Sequence, residues 1–269
     1  MKEALLFDQG TLPENDLFSP FALTDVLTAF SGDQDQPIIH FWQLPPTLIL
    51  GMKDSRVTYF DQALKTVQKK NYHLLLRNAG GLGVISDAGI LNVSLILPKN
   101  TLSSLSIDDG YQAMVDWLER TLFGKLGLTV GEVADSYCPG KYDLSINGKK
   151  VAGIAQRRGK DGVAIMMYLS VNGRHDLRGE LVRDYYQSGL QERFGIDYPP
   201  VNPASMTTLH EVAPFDVTID SVKTELLQAL SHRNQTKALA TFYQLDDYQH
   251  RIQNMYQRNT IIQEALNDI

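Results

Sequence analysis

Three groups of residues in this chain could do chemistry. Cys138 is the only cysteine among 269 residues and stands in SYCPG, Ser136 to Gly140. A thiol becomes a strong nucleophile when it ionises near neutral pH, and a neighbouring cation favours that. Lys149 and Lys150 follow across Asn147-Gly148. Strand alternation sends these two side chains to opposite faces, and Lys150, which leads into Val151-Ala152-Gly153, is the better inward candidate. The third group is Gly80-Gly81-Leu82-Gly83, within NAGGLGVISDAG from Asn78 to Gly89. It is neither a P-loop nor a GxGxxG fingerprint. A backbone bare of side chains lets a bound group come close, which suits an unbranched apolar ligand.

Each group also has a plainer reading. A free cysteine is most often a small buried hydrophobe, paired lysines beside a hairpin turn are usually solvated, and a glycine run can be a simple strand-to-strand turn. The setting of Cys138 argues for the loop: Tyr-Cys-Pro-Gly is not an apolar run, and Pro-Gly favours the centre of a type II turn with Cys138 at its first position.

The elements that must position these residues follow from pattern. Ser19 and Pro20 read as N-cap and first position of a helix through SPFALTDVLTAF. Ile38 to Leu44 and Thr47 to Gly51 read as strands divided by Pro45-Pro46, His73 to Arg77 as a short buried strand, and Ile90 to Pro98 as another. Ser106 and Asp109 stand at capping-box spacing before a helix whose stripe is Tyr111, Met114, Val115, Leu118 and Leu122, ending at Gly124 or Gly127. YDLSI, Asn147-Gly148 and KKVAGIAQRR form a hairpin with a type I′ turn, and Gly162 to Val171 adds a third strand. Beyond Pro214 the spacing is helical, through Val222, Leu226 and Leu230 and then Tyr248, Ile252, Met255, Ile262 and Leu266. This order predicts an α+β fold: a mixed, largely antiparallel sheet flanked by helices, with a helical C-terminus. The expected division is a catalytic domain over 1–214 and a helical extension over 215–269 packed on the same domain.

Composition narrows the function classes. Apolar residues make up 43% and charged residues 21%, with a formal charge of -6 and no long basic run, so no nucleic-acid surface is expected. A lone cysteine points away from a disulfide framework. No stretch approaches a membrane span and the N-terminus lacks an apolar leader core, so the expectation is a cytoplasmic protein without membrane contact. The six histidines (His40, His73, His175, His210, His232, His250) make no metal-ligand spacing. No metal and no cofactor is expected.

Taken together, HFWQLPPTLILGMKDSRV (His40 to Val57), RNAGGLGVISDAGILNVSL (Arg77 to Leu95) and SYCPGKYDLSINGKKVAGIAQRR (Ser136 to Arg158) resemble the lipoate/biotin protein ligase and octanoyltransferase superfamily. The resemblance implies that family's catalytic-domain fold. The ATP-using ligases carry an Arg-Arg-x-x-Gly-Gly-Gly-x-Val-x-His-Asp type motif; here Asn78 replaces the second Arg, Leu82 interrupts the glycines and Ser86 stands at the His position. These departures, with only some fifty residues after Pro214, argue against adenylation. Cys138 ahead of DLSI, with Lys150 in Lys-Val-Ala-Gly, is similar to the cysteine-dependent amidotransferase branch.

By this resemblance Cys138 is the acyl-thioester nucleophile and Lys150 the lysine that favours its thiolate. The candidate substrate-binding residues are Arg77, Gly80, Gly81, Leu82, Gly83, Val84 and Gly153. The implied reaction moves an octanoyl group from a lysine of the glycine cleavage H protein (donor) to a lysine on lipoyl domains of 2-oxoacid dehydrogenase acyltransferase subunits (acceptor). The alternatives are an octanoyltransferase fed by acyl carrier protein, an ATP-dependent lipoate ligase, and a non-catalytic module that binds lipoyl domains.

Overall fold

The computed structural model describes residues 3–102, 106–230, 235–236 and 239–267. In chain order the strands are β1 (Leu5–Thr11), β2 (Ile38–Gln43), β3 (Thr47–Leu50), β4 (His73–Leu76), β5 (Val84–Ser86), β6 (Ile90–Pro98), β7 (Leu128–Val130), β8 (Leu144–Ile146), β9 (Lys149–Arg158), β10 (Gly162–Ser170) and β11 (Gln235–Thr236). The helices are α1 (Ser19–Gln34), α2 (Phe60–Gln68), α3 (Ile107–Glu119), α4 (His175–Leu190), α5 (Leu209–Val212), α6 (Ile219–Gln228), α7 (Ala240–Tyr243) and α8 (Asp246–Asn267). The α+β expectation holds.

The strands form two sheets. The larger runs β11-β1-β2-β6-β10-β9-β8-β7, parallel between β11, β1 and β2 and antiparallel elsewhere. The smaller runs β4-β3-β5. Pro45 and Pro46 mark the crossing between them: without backbone N–H groups they cannot extend the β2 ladder, so β3 leaves and pairs with β4 and β5. Two sheets instead of one is a feature that strand periodicity does not reveal.

Three local expectations change. Ser19 is the first residue inside α1, the N-cap position falls to Phe18, and the Ser19 Oγ accepts a hydrogen bond from Gln9 Nε2 at 3.0 Å. Helix α3 is capped by Ser106, whose Oγ accepts from Asp109 N at 3.0 Å, but it ends at Glu119, short of Gly124. Leu122 then falls outside the stripe and is 45% exposed, while Phe123 takes the buried place. Tyr111, at the other end of the stripe, is half-buried and stacks on Tyr142 with ring centroids 4.5 Å apart.

The hairpin between β8 and β9 turns at Asn147 (φ 52°) and Gly148 (φ 73°), the two left-handed positions that a type I′ turn needs. Register then pairs Ile146 with Lys149 and Ser145 with Lys150, after which a bulge brings Leu144 opposite Ala152. Lys149 is left exposed and Lys150 buried, as alternation predicts.

The C-terminal helices share cores with the rest. Val222 and Leu226 of α6 pack with α3, where Trp117 Nε1 donates to the Leu226 carbonyl at 2.8 Å. Helix α8 is fixed to the edge of the small sheet by Asn259: its Oδ1 accepts from Leu76 N at 2.7 Å and its Nδ2 donates to Leu76 O at 3.1 Å. One amide side chain thereby satisfies both outward backbone groups of Leu76, at the end of β4. No helix among the described residues is long and apolar enough to cross a membrane.

Candidate active site

The segment between β7 and β8 carries Cys138. The expected Cys138-Pro139-Gly140 turn does not form; the hydrogen-bonded turn comes two residues later, with Asp143 N donating to Gly140 O at 3.0 Å. The cause is the Asp143 carboxylate. Its Oδ2 accepts from Gly140 N at 3.1 Å and from Val133 N at 3.2 Å, so the segment closes around that side chain. Gly140 does not take the positive φ of a type II turn. Cys138 itself is left-handed instead, at φ 49°, a conformation costly for a residue with a Cβ and therefore imposed by its surroundings.

Lys150 supplies much of that imposition. Its Nζ donates to Cys138 O at 2.8 Å, Tyr137 O at 3.1 Å and Ser136 Oγ at 3.2 Å, and pairs with Asp143 Oδ1 at 2.9 Å. Burial raises the Asp143 carboxyl, opposed by the Lys150 ammonium beside it and by the Gly140 and Val133 amides. The lysine meets the carbonyl of the cysteine and makes no hydrogen bond to its sulfur.

The sulfur's own partners come from the glycine segment. Leu82 N donates to Cys138 Sγ at 3.1 Å, and Arg77 Nη2 lies 3.9 Å from the same atom. Arg77 Nη2 also donates to Gly80 O at 2.7 Å and Leu82 O at 2.9 Å, folding the loop over its guanidinium. Gly81 (φ 93°) lies between them: a Cβ there would fall 2.5 Å from Arg77 Nη2 and 3.0 Å from Cys138 Sγ. Gly153 lies beside the same pair: a Cβ there would be in ordinary contact with Lys150 Nζ at 3.5 Å and Asp143 Oδ1 at 3.7 Å.

Behind the loop sits Asp54, fully buried. Its carboxyl accepts from Gly51 N and from Tyr186 OH, each at 2.7 Å, and burial pushes it up to about 6. On the outer side, Asn78 Nδ2 donates to Asp25 Oδ2 at 3.1 Å, and Asp25 is also gripped by Arg157, whose Nη1 reaches Asn78 O at 2.8 Å. The glycine loop is thus flexible in composition and anchored at both ends.

Cys138 opens into a cavity of about 300 Å³ whose apolar wall includes Phe21, Trp42, Ile49, Val84, Val93 and Ile154. Of the residues singled out in the sequence, Cys138, Lys150, Arg77, Gly80, Gly81, Val84 and Gly153 line it. Leu82 and Gly83 do not; Leu82 packs into the core and contributes its amide, and Gly83 faces Leu48 and Asp54. Sequence reasoning missed Asp143, although hairpin arithmetic could have found it: two residues before Ser145 on one face, it is diagonal to Lys150. Tyr111, expected as core, lines the cavity. No histidine lines it, and no group of three or more His, Cys, Asp or Glu among the described residues could hold a metal. His232 lies outside the described residues.

The family model of the lipoyl protein ligase A/B catalytic domain matches residues 16–231. This chain belongs to that family. A relative from Geobacillus kaustophilus, named octanoyl-[GcvH]:protein N-octanoyltransferase, is 41% identical over 222 residues, spanning 81% of this chain and 76% of its own. One of the same name from Oceanobacillus iheyensis is 35% identical over 91% of this chain and 89% of its own. A Listeria monocytogenes relative named lipoyl-[GcvH]:protein N-lipoyltransferase is 37% identical over 82% and 80%. Among solved structures, a putative lipoate protein ligase from T. acidophilum with bound lipoic acid superposes with a TM-score of 0.69 at 19% identity over 100% of both chains. Lipoate-protein ligase A bound with ATP gives 0.67 at 19% identity over 95% and 94%. These last two similarities speak to the fold.

Proposed function

We propose that this protein is an acyltransferase that moves an octanoyl group from a lysine of the H protein to lysines of lipoyl domains, through a thioester on Cys138. The observation that carries the reading is the placement of the single thiol at the wall of an apolar cavity, with a backbone amide donated to its sulfur. The names of relatives at 35–41% identity supply the donor and the acyl group.

One amide is broken and a similar amide is made, so the exchange is near thermoneutral and needs no ATP. The barrier lies in the poor electrophile and the poor leaving amine. Cys138 loses its proton to solvent and attacks the acyl carbonyl as thiolate; the tetrahedral adduct collapses, the C–N bond breaks and the amine leaves as it takes up one proton in return. The neutral amine of the second lysine then attacks the thioester, the S–C bond breaks, the Cys138 thiolate leaves and the new amide nitrogen gives up one proton. Lys150 holds the nucleophile's loop and keeps an ammonium beside the departing amine. The wall residues bury the chain: six methylenes at ~0.8 kcal/mol each give about 5 kcal/mol of anchoring, and an apolar tunnel keeps water from the thioester.

The test is intact-protein mass spectrometry without ATP, mixing the protein with octanoylated H protein, with lipoylated H protein (the acyl group in the Listeria relative's name), and with octanoyl-acyl carrier protein. An octanoyl adduct on Cys138 from the H protein is expected. An adduct from the carrier protein alone moves the assignment to the thioester-fed enzyme. No adduct from any donor, with lipoyl domains still bound, leaves a binding module.

A further inference from the structure

We propose that a second cavity, walled by Arg157, Arg251 and Arg258, is where the carrier proteins dock an acidic surface, with Arg258 receiving a partner carboxylate; this rests on the reading of the protein as a transferase between two protein-borne lysines. The cavity has a volume of about 480 Å³ and lies between α8, the turn after β3 and the start of the glycine segment. It adjoins the acyl cavity at two places in the chain. Asn78 lines the second cavity and Ala79 the first; Arg157 lines the second and Gln156 the first. Gly80 and Gly81, two exposed residues of the acyl cavity's wall, come just after Asn78, so solvent meets the acyl cavity along this same edge.

Charge in the second cavity is unevenly balanced. Asp25 is the acid in its wall and is shared: it pairs with Arg157, and its Oδ2 accepts from Arg251 Nη1 at 3.4 Å and from Asn78 Nδ2 at 3.1 Å. Arg251 has a second carboxylate, Asp247, at 3.0 Å. Arg258 forms no ion pair with any Asp or Glu among the described residues. Its Nη1 donates to the Met52 thioether sulfur at 3.0 Å, a weak acceptor, and its Nε is buried with no hydrogen-bond partner. A guanidinium stays protonated under all ordinary conditions. Arg258 therefore brings an excess positive charge, with donors to spare, to the wall of an open cavity.

The surroundings favour a protein over a free anion. Met52 and Ile261, which line the same cavity, are 42% and 38% exposed. Arginine beside exposed Met and aliphatic side chains is the make-up of a protein interface; a small anion gains nothing from the apolar part. The whole chain has a formal charge of -6, so an acidic partner is repelled by most of its surface and drawn to a local excess of positive charge. In a ping-pong scheme the acyl-bearing lysine and the acceptor lysine reach the same sulfur in turn. One docking site beside the acyl cavity then serves both proteins.

The test is equilibrium binding of the full chain to unmodified H protein and to an unmodified lipoyl domain. Arg258→Glu is expected to weaken both Kd values roughly tenfold or more at low salt, Arg258→Gln about threefold to tenfold, and Arg258→Lys to keep most of the affinity. The gap between wild type and Arg258→Glu should narrow with salt, as the screening length falls from about 30 Å at ~0.01 M to about 3 Å at ~1 M. Lys125→Glu makes the same charge change on an exposed residue at the β7 edge of the large sheet and should bind as wild type does. Octanoyl transfer by Arg258→Glu should lose through KM and not through kcat, as befits docking. Unchanged Kd values for both proteins, or an equal loss in Lys125→Glu, overturn the proposal. So does binding of inorganic phosphate or AMP that Arg258→Glu abolishes while the protein Kd values hold, which would make the cavity a small-anion site. Binding needs no acyl group, so it can fail where the octanoyl adduct forms and succeed where the adduct does not.

Discussion

Lys150 gives its ammonium to Asp143 at 2.9 Å with the two side chains only 4% and 2% exposed, and the same ammonium holds the carbonyl of Cys138. The pair is therefore a structural brace for a left-handed cysteine as well as part of the site. Removing one partner leaves a buried uncompensated charge. Lys150→Met or Asp143→Asn alone is expected to cost about 3–5 kcal/mol in denaturant unfolding, and the double variant much less than the sum. Additive costs would mean that the two do not act as a pair.

Gly81 has no space for a side chain. Gly81→Ala places a methyl 2.5 Å from Arg77 and 3.0 Å from Cys138 Sγ, at a φ of 93°. The loop must then give way, taking the Leu82 amide off the sulfur. Acyl transfer should fall by two orders of magnitude or so, with a stability loss of about 1–2 kcal/mol. Near-normal kcat would show that the Leu82–Cys138 contact is dispensable.

Asp54 should give a pH signature. Burial raises its carboxyl from 3.8 to about 6 in the folded protein. Below the unfolded-state value both states hold the proton and the contribution to stability is fully present. As pH rises from there through 6, the unfolded chain releases its proton first and the folded state loses relative stability, on the order of 3 kcal/mol in full. Asp54→Asn removes this loss, so the variant should gain on wild type between about pH 4 and pH 7 in matched urea titrations. A gap that does not change with pH would mean that the carboxyl ionises as easily folded as unfolded.

Asn259 should govern the docking of α8. Both of its hydrogen bonds to Leu76 are buried, and Asn259→Ala leaves an amide and a carbonyl of β4 unsatisfied, at about 2–4 kcal/mol for the two. Hydrogen exchange should rise in β4 and α8 ahead of the large sheet. Uniform protection would show that packing alone holds the helix.

Ala155 lines the cavity. Ala155→Phe should shorten the acyl chain that fits, so that octanoyl transfer drops more than tenfold while a butanoyl donor is retained. Equal loss for both chains, read by competition between donors, would place Ala155 away from the acyl path.

Much of this architecture was legible from pattern. The alternation in KKVAGIAQRR and the Asn147-Gly148 turn sufficed to choose Lys150 over Lys149, because a two-residue hairpin fixes register and register fixes the face. The breaks at Pro45-Pro46 and the helical spacing after Pro214 were equally plain, and three ordered segments pointed to the family that the family model matches at 16–231. What local pattern could not carry was closure. The turn after Cys138 was misplaced because Asp143 draws amides from ten and three residues away, and Leu122 left its stripe because α3 stops at Glu119.

The sequence by itself determined which residue types are present for chemistry and which strand face each takes, since those follow from covalent periodicity. Tertiary structure decided which charge meets which atom. Cys138 lies more than fifty residues from both Arg77 and Leu82, and their contact at one sulfur depends on a second sheet that brings β4 and the glycine loop beside the β7–β8 connection. Pairing of Lys150 with Asp143 is likewise a property of burial, which assigns counter-ions only once the chain has closed around them.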